Sequence, residues 1–173
     1  MALVYRLLLL RFLLCLDGVV ELSESLCLGF PYFQTCCPMK TKHFLESADV
    51  KTIAAAAEAE ALKNNWAVTI AIVDDGGHLL NLHRLDGAPA ISSHIAPAKA
   101  HTAALGRRES KIYEDVINGG RVSFVTAPEV KGMLEGGVPI MKDGQCIGAV
   151  GVSGVKSNED AQIAKAGIAA IGL

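Results

Sequence analysis

The chain has 173 residues, room for one globular domain and short for two, and its 51% apolar content permits a sizeable core. A net charge of −2 gives no basic excess to neutralise phosphates, and 5% aromatic residues give no stacking platform for single strands, so nucleic acid is not expected as a partner.

Cysteine use divides the chain. Cys15, Cys27, Cys36 and Cys37 precede Met39, and Cys146 alone follows it. The body therefore needs no disulfide and fits a reducing, cytoplasmic compartment. The early cysteines lack a CxxC pair and a following His pair, so they do not have zinc-site spacing. Residues 7–14 are rich in leucine and follow Arg6, as in a signal peptide, but Arg11 interrupts the run and no small-x-small cleavage site follows. The run is too short to span a bilayer. Residues 1–38 are read as a leader of doubtful structure, either artefactual, with Met39 as the natural start, or for targeting; a true signal peptide would make the protein secreted. Residues 39–173 are read as the folded domain.

From Met39 onward, caps, periods and turns appear. Ser47 is positioned to cap a helix to about Asn64, with Val50, Ile53, Ala54, Ala57 and Ala61 on one face. Residues 67–74 are rich in β-branched side chains and predict a buried strand; Asp75-Gly76-Gly77 turns the chain into a return strand from His78 to Leu85. Ser92 or Ser93 would cap a second helix to about Leu105, with Pro97 in its first turn or kinking it. Ser110 would cap a third to Ile117, ended by Asn118-Gly119-Gly120. Val122–Thr126 is read as a short strand. Pro139 limits Val138 to Met141 to an edge strand or a strand start, and Cys146 to Ser153 is read as a central strand. Ser157 with Asp160 matches a capping box for a last helix to Ile171. Tight turns between strands predict an α+β fold with a mainly antiparallel, five-stranded sheet flanked by helices.

The candidate chemistry lies in two segments. Arg84 and Asp86 stand at a strand exit, where Arg84 could grip a carboxylate bidentately; the plainer reading pairs Arg84 with Asp86 or Asp74 to fix the loop. Lys99, His101 and Thr102 lie on a helix of small residues that admits a flat ligand, a second helix or a neighbouring subunit; the plainer reading has Lys99 reaching out to water. His94 and His101 are two helical turns apart, roughly 10 Å, too far to share a metal, but a single histidine can serve as an axial haem ligand. Gly136-Gly137 is a turn whose amides could form an anion nest. No Walker loop is present, and Gly151-Val152-Ser153-Gly154 has Val155 where a nucleophile elbow needs glycine. Cys146, in a buried strand, is read as inert.

Several segments, in order and across about Lys42 to Leu173, resemble the GlcG/HbpS family, to which the carboxy-terminal domain of PduO-type proteins also belongs. They are Val73-Asp74 with Gly76-Gly77, Arg84 with Asp86-Gly87-Ala88, Lys99-Ala100 with Thr102-Ala103, Gly136-Gly137-Val138-Pro139, and Gly148 to Gly154 with Asp160 and Ala164. The resemblance implies a profilin-like fold, homo-oligomers that are commonly octamers, and haem binding in some members. It implies ligand or subunit contact for Arg84, Asp86 and Lys99 and places Thr102 in the region linked to haem. His101 stands where an aromatic is common and is the candidate iron ligand. The resulting expectation is a binding protein rather than an enzyme, with haem or a related tetrapyrrole as its small-molecule ligand and no membrane partner. The alternative is an enzyme or accessory factor acting on a small hydroxy acid or diol.

Overall fold

A computed structural model describes residues 40–129 and 131–173; the leader expected over residues 1–38 lies outside the described residues. The elements are α1 (Ser47–Lys63), β1 (Thr69–Asp74), β2 (Leu79–Arg84), α2 (Ser92–Gly106), α3 (Lys111–Asn118), a 3-10 helix (Val122–Thr126), β3 (Gly137–Lys142), β4 (Gln145–Ser153) and α4 (Ser157–Ala169). The strands form one antiparallel sheet in the order β2-β1-β4-β3.

The sheet has four strands, not the expected five, because Val122–Thr126 is a 3-10 helix. Val122 and Val125 are exposed, so the segment has no buried apolar face with which to join the sheet. Phe124 and Ala127 instead donate their amides to the carbonyls three residues back, and the Phe124 ring packs 5.4 Å from that of Tyr113.

The caps differ from expectation in detail. At α1 the residue outside the helix is Glu46, whose amide donates to Asp49. At α2 it is Ile91, and Ser92 lies inside, its hydroxyl bonded to Pro89 and Thr69. At α4 Lys156 precedes the helix and donates its amide to Glu159, which frees Asp160 for other work. Ser110 does stand at the start of α3, but its hydroxyl spans to Leu134 and Gly137 instead of capping. Pro97 falls in the second turn of α2, where the Ser93 carbonyl loses its donor.

The two faces of the sheet are built differently. On one, α1 and α4 cover Ile70, Ile72, Val150 and Val152 together with Ile53 and Ile163, a core of branched side chains. On the other, α2 covers Ala71, Val73 and Ala149 with Ala96, Ala100, Ala103 and Ala104. Small residues let α2 lie almost on the strands: a methyl at Gly151 would overlap the Ala96 carbonyl and the Ala100 amide. β1 is buried along nearly its whole length, whereas its hairpin partner β2, at the sheet edge, is not.

Candidate functional site

The structure separates the five expected site residues into three places. Lys99 lies in the interior, on the side of α2 that faces β4 and the loop before β3. Its Nζ donates to Asp160 Oδ2 at 2.8 Å and to the Val152 carbonyl at 3.0 Å. Asp160 also accepts from the Val155 amide at 3.3 Å. Burial pushes the Asp160 carboxyl above its usual value, and the hydrogen bond and charge of Lys99 pull only part of that back. Gly136, at φ +120°, makes room for the pair, since a Cβ there would press on Lys99 Nζ. Thr102 is also fully buried, and its hydroxyl accepts the Gly132 amide at 3.2 Å.

Arg84 and Asp86 have exposed side chains and line a cleft of about 410 Å³ together with Glu58, Trp66 and His83. Asp74, a partner considered for Arg84, pairs with His78 instead.

His101 is half-buried on the side of α2 nearest the β1–β2 turn. Its ring rests on Gly77, where φ is +81° and a side chain would collide with the imidazole. The positive φ and the ring contact both require glycine at this position.

Two features of this end of the sheet were not singled out in the sequence. The first is an apolar ledge on β2. Leu79, Leu80 and Leu82 are 52%, 44% and 43% exposed. The register pairs Leu82 with Ala71 and Arg84 with Thr69, so both side chains stand on the face that α2 covers farther in. A bulge between Ile72 and Val73 breaks the alternation near Leu80. A strand of alternating burial would have two of these leucines packed; the position at the sheet edge leaves them partly open. The second is a contact between Asp74 and His78 across the turn, at 3.1 Å. Its signal was present in the four-residue spacing around Gly76-Gly77, a separation that a tight turn closes. Cys146 Sγ lies 3.4 Å from the Gly148 carbonyl, and burial raises its thiol, consistent with an unreactive side chain.

Over the described residues, the fold and site thus define an α+β domain with a four-stranded antiparallel sheet between helices, an apolar sheet edge and a histidine-bearing turn. Residues 45–169 match the family described as haem degrading protein HbpS-like, and the chain belongs to that family. It is 57% identical over 115 residues to protein GlcG of Escherichia coli K12, covering 66% of this chain and 85% of GlcG. A solved Streptomyces reticuli HbpS double mutant superposes with a TM-score of 0.72 at 27% identity, covering 84% of this chain and 99% of that one. A PduOC:heme complex superposes at 0.68 with 30% identity, covering 74% of this chain and 95% of that one.

Proposed function

We propose that this protein binds haem or a related tetrapyrrole, as a binding protein rather than as an enzyme. The observation that carries the reading is the β2 ledge. Three leucines remain about half exposed beside a turn that bears the His78 imidazole and carries the His101 ring of α2 packed on Gly77, on a strand whose neighbour is buried. Fully burying a leucine is worth about 1.5–3 kcal/mol, so covering the exposed half of all three offers on the order of 3 kcal/mol to a flat apolar ligand. Arg84, on the face shared with Leu82, would hold a propionate, and Asp86 and His101 would bound the ligand. Lys99 and Thr102, both engaged in the interior, would serve by holding α2 in place behind it. Haem, when bound, would supply an iron able to accept an imidazole nitrogen. The HbpS-like family and the haem held by PduOC support the same class of ligand. Assembly into a homo-oligomer, up to an octamer, and a cytoplasmic location belong to this reading. Among the described residues, no helix is long and apolar enough to cross a membrane.

Haemin titration of the full chain, followed through the Soret band, tests it. A saturable, shifted band at a fixed ratio of haem to chain is expected. A featureless, non-saturating rise would remove haem as the ligand.

The polar cleft favours a second reading, a site for a small hydroxy acid or diol. Its walls carry Arg84, Asp86, Glu58 and His83 around Trp66. Trp66 is the chain's one tryptophan, so its fluorescence reports on the cleft. Saturable quenching by glycolate or propane-1,2-diol would support this reading, and an unchanged spectrum at high ligand concentration would end it.

A further inference from the structure

We infer that His78, and not His101, is the iron ligand, and that Asp74 orients it; this rests on the haem reading above. Asp74 is itself held by the turn: its Oδ1 accepts the Gly76 amide at 2.9 Å and the His78 amide at 2.8 Å. That fixed carboxylate lies 3.1–3.2 Å from His78 Nδ1. A carboxylate accepts and does not donate, so Nδ1 carries the ring proton. The lone pair is then on Nε2, at the far side of a ring that is 81% exposed. A carboxylate on the other nitrogen is how metal-binding histidines are aimed and made more basic. Gly76 completes the seat, since a Cβ there would come within 2.8 Å of His78 Cε1.

His101 is arranged otherwise. Its Cδ2 and Nε2 edge lies against Gly77, so that a Cβ on Gly77 would stand 3.0 Å from Nε2. The nitrogen that would bind iron is turned into the hairpin. Among the described residues, no hydrogen bond aims its ring, in contrast to His78. Position agrees as well: His78 immediately precedes Leu79 and Leu80, so a free imidazole nitrogen stands at the end of the apolar ledge. His101 becomes a wall of the site.

The test uses the full chain and three variants, His78→Ala, His101→Ala and Asp74→Asn, read by the Soret band and by low-temperature electron paramagnetic resonance of the bound ferric haem. His78→Ala is expected to lose the imidazole-type spectrum and to bind at least about tenfold more weakly, while His101→Ala keeps the spectrum. Asp74→Asn is expected to keep it too, with affinity lower by about 10–100-fold, the usual effect of removing an orienting partner. An unchanged spectrum in His78→Ala, with haem still bound by the wild type, overturns the iron assignment alone. A wild type that binds no haem overturns the functional reading and the assignment together. A separate readout needs no haem: ¹⁵N NMR of the ligand-free protein should show His78 protonated at Nδ1. Predominant protonation at Nε2 overturns the orienting role of Asp74.

Discussion

Lys99–Asp160 and His78–Asp74 are both contacts between a carboxylate and a nitrogen base, at 2.8 and 3.1 Å, yet they do opposite work. The first is sealed between α2, β4 and α4, with side chains 4% and 2% exposed. Every polar atom on it that matters is spoken for, by Val152, by Val155 and by the pair itself. The second stands at a turn, with one imidazole nitrogen held and the other left to solvent. A buried pair fixes chain segments against each other because separating it strands a charge in an apolar medium. An exposed pair contributes little to folding, and what it fixes is the direction of a lone pair. Contact distance alone does not tell structure from chemistry; burial does.

The comparison breaks first at Asp160. Asp160→Ala should destabilise the protein by about 3–5 kcal/mol, since it leaves the Lys99 ammonium buried without a counter-charge. The double variant Lys99→Met with Asp160→Leu should recover most of that loss, because apolar replacements of a buried pair are often neutral or better. Urea denaturation measures both. A single variant within 1 kcal/mol of wild type would mean that water reaches the pair and that it is no different in kind from the one at the turn.

Next in size is the seam that lays α2, and with it Lys99, against β4. Gly151→Ala places a methyl against the backbone of Ala96 and Ala100, which cannot move without shifting the whole helix. A loss of about 1–3 kcal/mol is expected, as for other overpacked cores. Little change in the denaturation midpoint would show that the alanine face has slack and does not hold Lys99 tightly.

How much of this was legible in the sequence follows from the range of each interaction. Helices, hairpins and the β1 core strand came from periodicity and turn residues, both local signals, and they stand where the spacing put them. Val122–Thr126 departs from a strand because β-branched residues favour one only when they pair with a sheet and bury a face, and this segment, with Val122 and Val125 exposed, does neither. Asp160 was read as half of a capping box, a contact three residues long; its partner is Lys99, 61 positions away, which no local pattern encodes. Lys99 is legible as a cation on a small-residue helix that must reach water or a ligand, and the buried carboxylate it meets instead is not. Strand alternation already puts Arg84 on the face of Leu82, and the register with Ala71 and Thr69 adds that this is the face α2 covers farther in. The exposure of β2 was not legible, because Leu79, Leu80 and Leu82 look like core until the order β2-β1-β4-β3 places them at an edge.

That edge supplies a smaller, sharper test. Leu82→Ala should change stability by less than about 0.5 kcal/mol, since the side chain is already partly in water. The same change removes about 1 kcal/mol of the burial available to a ligand, or roughly a fivefold rise in haem Kd. Loss of stability without loss of affinity would mark Leu82 as core and remove the ledge from the binding site.

The smallest expected effect is one of sign. Burial alone would raise the Asp74 carboxyl, but the amides of His78 and Gly76 and the His78 imidazole outweigh it, and the net shift is downward. The native state then releases this proton more readily than the unfolded chain does. Asp74 therefore contributes stability in full above the ordinary carboxylate range, and the contribution is lost as pH falls through the lowered value. Asp160 titrates with the opposite sign. Its raised carboxyl makes stability fall as pH rises from the ordinary carboxylate value toward the raised one. The two contributions partly cancel on the acid limb of the wild-type curve of denaturation midpoint against pH. Asp74→Asn should uncover the Asp160 slope and leave the variant relatively more stable in acid than wild type. The Lys99→Met, Asp160→Leu double variant should steepen the acid loss that Asp74 alone produces. Parallel curves for wild type and Asp74→Asn would mean that the turn carboxylate is no better solvated by its amides than by water, and the orientation it imposes on His78 would lose its physical cause.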